Sequence, residues 1–115
     1  MNNKVLYCKV STIEQKTDRQ RVNEKTYNVV VEDKCSGSIP FFERDGGKKI
    51  KKLINKGTKF SLSVLSIDRL SRDLRNIKNI IYFFTENKIA IHFISQGLLT
   101  LDDEGKENAI SKMIL

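Results

Sequence analysis

The chain has 115 residues, 39% of them apolar and 30% charged, and a formal net charge of +7. That length suits one globular domain and leaves no room for a second core, because domains usually take about 100 to 200 residues. The charge favours a polyanionic partner, and the longest apolar runs, Ile80 to Phe84 and Ile89 to Ile94, fall far short of the roughly 20 residues a spanning helix needs.

The amino terminus, Met1-Asn2-Asn3-Lys4, lacks the apolar core of a signal peptide, so the expected compartment is the cytoplasm, with no membrane partner. Val5 to Val10 then reads as a strand, apolar except at Lys9, and it passes abruptly into Ser11, Thr12, Glu14 and Gln15. Ser11/Glu14 and Thr12/Gln15 both fit a capping box, which predicts a helix from Gln15 to about Tyr27. A hydroxyl thus stands at a strand's carboxyl end beside helix amides that attract anions. Taken alone, Ser11 is an ordinary N-cap.

Asn28 to Glu32 is a β-branched run of strand type, and Asp33 to Pro40 has the composition of a loop, suited to a mobile flap. From Arg44 the pattern turns helical. Ile50, Leu53 and Ile54 share a face, Lys48, Lys49, Lys51, Lys52 and Lys56 surround it, Gly46-Gly47 weakens the start, and Gly57 supplies the stop. The lysines read as a solvated face. Lys59 to Ile67 is a third strand, and a helix with Leu74, Ile77, Ile80, Ile81 and Phe84 on its core stripe follows. Ile89 to Ile94 is a fourth strand, continuous enough in apolar character to be buried and parallel, and Gly97 ends it. Asp102 to Glu104 would open a last helix from about residue 103, carrying Ala109, Ile110, Met113 and Ile114, and Leu115 would cut it through.

Strands alternating with helices imply an α/β fold, a mostly parallel central sheet with helices on both faces, and ligands at the strands' carboxyl ends. Ser11 and the Asp68-Arg69-Arg72 group fall on that edge. The only histidine, His92, sits mid-strand and reads as a satisfied core residue, so a Ser-His-Asp hydrolase is not expected. Cys8 and Cys35 make neither a disulfide framework nor a metal pair, and Cys35 lacks the arginine that closes a phosphatase loop. No carboxylate cluster, Walker loop or dinucleotide motif appears, so the expected site uses no metal, nucleotide or other cofactor. What the strand ends offer is positive charge from Lys9, Arg44, Arg69 and Arg72. Guanidinium forks match phosphate oxygens and stabilise charge that builds up in phosphoryl transfer. Asp68 would pair with these arginines, carry a proton for a leaving oxygen, or form only a surface ion pair.

Tyr7-x-Lys9-Val10-Ser11-Thr12-x-x-Gln15 with Asp18-Arg19-Gln20, then Ser36-Gly37, Glu43-Arg44 and Asp68-Arg69-Leu70-Ser71-Arg72, resembles the catalytic domain of the serine recombinases, the resolvase/invertase family. The four blocks occur in the right order and span essentially the whole chain. The resemblance implies a resolvase-like three-layer fold and site-specific DNA recombination. Ser11 would attack a backbone phosphate to form a 5′-phosphoserine link, with strand exchange in a synaptic tetramer built from homodimers of the full-length protein. By similarity Arg44, Arg69 and Arg72 would bind the scissile phosphate, and Gln15, Gln20 and Asp68 would complete the site. The family uses no metal and normally has arginine where this chain has Lys9, which loses the bidentate fork. It also continues through a dimerisation helix into a DNA-binding domain. The competing reading is a non-catalytic basic α/β module, a decayed recombinase that binds DNA or a protein.

Overall fold

In a computed structural model the described residues are 3–11, 24–102 and 106–107. Their centre is a five-stranded sheet. Strands β1 (Asn3–Val10), β2 (Val29–Lys34), β3 (Phe60–Val64), β4 (Ile91–Phe93) and β5 (Leu98–Leu99) stand in the order β2-β1-β3-β4-β5. The first four are mutually parallel, and β5 runs antiparallel to β4.

That order positions the site. The chain leaves β1 for β2 on one side and comes back to β3 on the other, so the carboxyl end of β1 is the switch point where open α/β sheets form their ligand crevice. Ser11 is the first residue past it.

Two helices, α1 (Asp45–Asn55) and α2 (Leu74–Glu86), cover one face. Period-2 alternation sends Val5 and Tyr7 of β1, with Val31, Leu62, Val64, Ile91 and Phe93, into a core shared with Ile50 and Ile54 of α1 and Ile77, Ile80, Ile81 and Phe84 of α2. Each such side chain, fully buried, contributes about 1.5–3 kcal/mol. Leu6, Cys8 and Val10 point to the opposite face and are buried too. Of the helix expected from Gln15 to Tyr27, residues up to 23 lie outside the described part, and Glu24–Thr26 is a 3₁₀ turn.

Several expectations are corrected. The third strand ends at Val64, where its pairing with β1 stops at Tyr7, and Ile67–Arg69 forms a 3₁₀ turn. The fourth strand is confined to Ile91–Phe93; Gly97, at φ +64°, turns the chain back into the unforeseen β5. Leu74 is exposed at the first position of α2 and takes no part in the core. The second strand extends to Lys34, through residues expected to form a loop. The helix expected from about residue 103 does not include Lys106 and Glu107. Glu107 bridges Leu101, and Asp102 exchanges hydrogen bonds with Lys106. Residues 103–105 and 108–115 are not described.

Gly46-Gly47 is a packing requirement. A Cβ on Gly47 would stand 1.7 Å from the Phe41 carbonyl oxygen, and one on Gly46 would stand 2.6 Å from the Asp33 carboxylate. Glycine lets the first turn of α1 press against both.

Candidate active site

The end of β1 is clasped from both sides. The Cys35 amide donates to the Val10 carbonyl at 2.8 Å, and an Arg69 Nη donates to the Lys9 carbonyl at 3.2 Å. Ser11, half-buried, therefore lies between the loop after β2 and the 3₁₀ turn after β3. Sequence reasoning placed Ser11, Lys9, Arg69 and Arg72 on one edge, and these contacts bring their segments together.

Beneath that edge runs a buried polar seam. The Tyr7 hydroxyl donates to Asp33 at 2.7 Å, and the other Asp33 oxygen accepts the Gly46 amide at 2.6 Å. Asp33 thus holds a carboxylate at the amino terminus of α1, where the helix dipole favours it. Arg44 joins the seam from above through Nη1, which donates to the Tyr7 hydroxyl at 3.1 Å and to the Arg69 carbonyl at 2.7 Å. Its Nε donates to the Ile39 carbonyl at 2.9 Å, and Nη2 reaches the Gly37 carbonyl at 3.4 Å. One guanidinium so fastens β1, the 36–40 loop and the Arg69 turn. The segment expected as a mobile flap is anchored at two of its carbonyls.

The electrostatics follow from burial. Lys9 is 2% exposed, and its Nζ donates to the Cys35 carbonyl at 3.5 Å. Desolvation first, then the nearby Arg44 and Arg69 charges, hold its ammonium below the usual lysine range. A phosphate would reverse the repulsive part of that penalty. Burial likewise pushes the Tyr7 phenol well above its usual range and raises the Cys35 thiol, so both stay neutral.

Arg72 is exposed, and its side chain lies on Gly37, where an added Cβ would meet Nε at 3.0 Å. Gly37 is therefore shared by the buried Arg44, through its carbonyl, and the open Arg72, through its α-carbon. Asp68 is exposed and accepts a hydrogen bond from the Ser66 hydroxyl; the expected pairing with the arginines is not among the contacts of the described residues. The Ser66 contact keeps the carboxylate at the mouth of the turn. Gln15 and Gln20 lie outside the described residues.

Sequence reasoning missed Asp33 as a member of the site and took Tyr7 only as part of a motif. The available signal was that Asp33 keeps the inward period of Val31, two residues on. His92 lies mid-sheet, level with Leu6 through Ser63 and away from the carboxyl edge, so it supplies no base there. Among the described residues no group of three or more His, Cys, Asp or Glu is placed to hold a metal ion, and no helix is long and apolar enough to cross a membrane.

Residues 4–114 match the family described as Resolvase, N terminal domain. The chain is 32% identical over 102 residues to the DNA-invertase hin of Salmonella typhimurium, which covers 87% of this chain and 52% of that protein. It is 29% identical over 97 residues to the Transposon Tn2501 resolvase of Escherichia coli, covering 79% of this chain and 49% of that protein. The chain thus spans about half the length of these relatives. Its fold is similar to the N-terminal catalytic domain of TP901-1 integrase, with a TM-score of 0.74 at 23% identity over 96% of this chain and 90% of that one.

Proposed function

The chain belongs to the serine recombinases of the resolvase/invertase family, and on that premise we propose that it is the catalytic domain of a site-specific DNA recombinase in which Ser11 is the nucleophile. The Ser11 oxygen attacks a backbone phosphorus. An Oγ–P bond forms as the serine hydroxyl gives up its proton, the P–O3′ bond breaks, and the freed 3′ oxygen takes up a proton in its place, leaving a 5′-phosphoserine link. Attack by the 3′ hydroxyl of an exchanged strand reverses these steps and releases the serine. Phosphodiester bonds are neither gained nor lost, so no nucleotide is consumed.

The observation that carries this reading is the placing of Ser11 at the switch point of the sheet, clasped between the Cys35 and Arg69 segments. Lys9, Arg69 and Arg72 supply positive charge to the transition state, the effect that preorganised donors deliver best. Lys9 acts as a point charge in place of a fork. Arg44 acts chiefly as a positioning residue, since its donors already serve Tyr7 and three carbonyls. By family likeness Asp68, Gln15 and Gln20 complete the site around the substrate. The working form is a tetramer assembled from dimers, acting on DNA in the cytoplasm.

The test is to trap the intermediate on a suicide DNA substrate with the full gene product and locate the phosphodeoxynucleotide by peptide mass spectrometry. Attachment at Ser11, abolished in Ser11→Ala with DNA binding kept, is the expected result. Attachment at another residue, or undiminished attachment in Ser11→Ala, would overturn the assignment.

A further inference from the structure

Beside the Ser11 edge, an open groove of about 490 Å³ runs between the 36–40 loop and the first turns of α2. Gly37 and Ser38 form one wall, and Arg72, Arg75, Asn76 and Asn79 line the other. Arg75 and Asn79 are separated by one helical turn and Asn76 adjoins them, so all three present polar ends along one strip of α2. Arg72 and Arg75 are both exposed, and neither has a side-chain hydrogen bond or ion pair among the described residues. The Asn76 amide is held in place by the buried Ser71 hydroxyl, which accepts from its Nδ2 at 3.3 Å. One acid lines the groove, Asp73, and its carboxylate is committed to the Arg75 amide at 3.1 Å as the cap of α2. Asp73 keeps its charge, so the groove carries two guanidiniums against one carboxylate and a positive balance.

We propose that this groove is a second phosphate subsite, which takes a backbone phosphate flanking the scissile one on the same DNA strand. The proposal rests on the recombinase reading and extends it. Arg72 stands at the junction: it touches Gly37, whose carbonyl Arg44 holds, and it opens the groove on the other side. A strand whose scissile phosphate lies at Ser11 and Arg72 has this groove as its adjoining channel. Arg75 takes the flanking phosphate as a fork, and Asn76 and Asn79 donate amide hydrogens to it. An open trough edged by guanidiniums and amides suits a continuous chain better than an enclosed small molecule, which would be buried over most of its surface.

The experiment measures binding of the full chain to a short duplex by fluorescence anisotropy over a range of salt. Each neutralised phosphate contributes about −0.9 to the slope of log K against log salt. Arg75→Gln should shallow that slope by about 0.9 and weaken binding several-fold at low salt, while Arg75→Lys should restore most of the slope. Lys56→Gln, an equal loss of charge at the far end of α1, should leave the slope unchanged. Circular dichroism would verify that each variant is folded. Equal slopes for Arg75→Gln and wild type, or equal loss in Arg75→Gln and Lys56→Gln, would overturn the subsite while leaving attachment at Ser11 intact. Absence of DNA binding by the wild-type chain would overturn both.

Discussion

Arg44 is 2% exposed and gives its hydrogens to Tyr7 and three carbonyls, whereas Arg72 lies exposed across Gly37 with no hydrogen-bonded partner among the described residues. The two guanidiniums meet at the same glycine from opposite sides. Burial has turned the first into a structural clamp, because carbonyls deprived of water need donors. Exposure has left the second free to bind. Family likeness groups the two together; their surroundings separate a residue committed to backbone carbonyls from one open to solvent.

The comparison breaks most severely at the floor beneath Arg44. Gly47→Ala would drive a methyl into the Phe41 carbonyl at 1.7 Å, backbone that cannot yield cheaply. A loss of about 3 kcal/mol or more in urea unfolding is expected, a large share of the roughly 5–15 kcal/mol by which domains are usually stable. A change below about 1 kcal/mol would mean that α1 does not start as described. Arg44→Leu comes next. It strips donors from the Ile39, Arg69 and Gly37 carbonyls and from the Tyr7 hydroxyl, and should cost about 2–4 kcal/mol by the same measurement. A stability equal to wild type would remove the clamp from the account.

Tyr7→Phe is a finer probe of the seam. It keeps the ring, which packs edge-on against Phe41 at 4.9 Å between centroids, and deletes only the hydroxyl between Arg44 and Asp33. The expected loss is about 1–3 kcal/mol. A gain in stability would show that the buried hydroxyl is a burden.

The smallest effect is that of pH at Lys9. Its ammonium loses its proton earlier in the fold than the usual value of 10.5 in an unfolded chain. Between those two values the unfolded state holds more protons, so the stability contributed at this position rises with pH. Wild type compared with Lys9→Met, in urea titrations stepped from pH 7 to 10.5 without DNA, should therefore improve toward the alkaline end. A difference that is flat or falls with pH would show that the ammonium is not penalised by burial and by its arginine neighbours.

The carboxyl edge was legible in the sequence because a strand-to-hydroxyl boundary is local: Val10 to Ser11 changes character in one step. Lys9 and Arg69 were readable for the same reason, each lying within a few residues of a strand end. The seam was not. Asp33 follows a β-branched run and has a turn former's chemistry, and its inward facing depends on β2 pairing with β1 as far as Lys34, a non-local fact. Gly46-Gly47 carries a helix-weakening propensity, and the reason for tolerating it, the closeness of Phe41 and Asp33, exists only in the folded chain. β5, two residues long, is too short to show a period. Arg44 was recognisable as a candidate, but whether a guanidinium faces solvent or carbonyls is decided by tertiary burial.

The rate of covalent attachment to a suicide DNA substrate by Arg72→Ala, in the full gene product, tests the separation of clamp from ligand most directly. Arg72 is exposed, so the unfolding free energy of the variant in urea should match wild type to within about 0.5 kcal/mol. The account predicts that attachment through Ser11 nevertheless slows by about 10²–10³-fold, the loss typical of one preorganised charge donor. Attachment at the wild-type rate in a folded Arg72→Ala protein would contradict it.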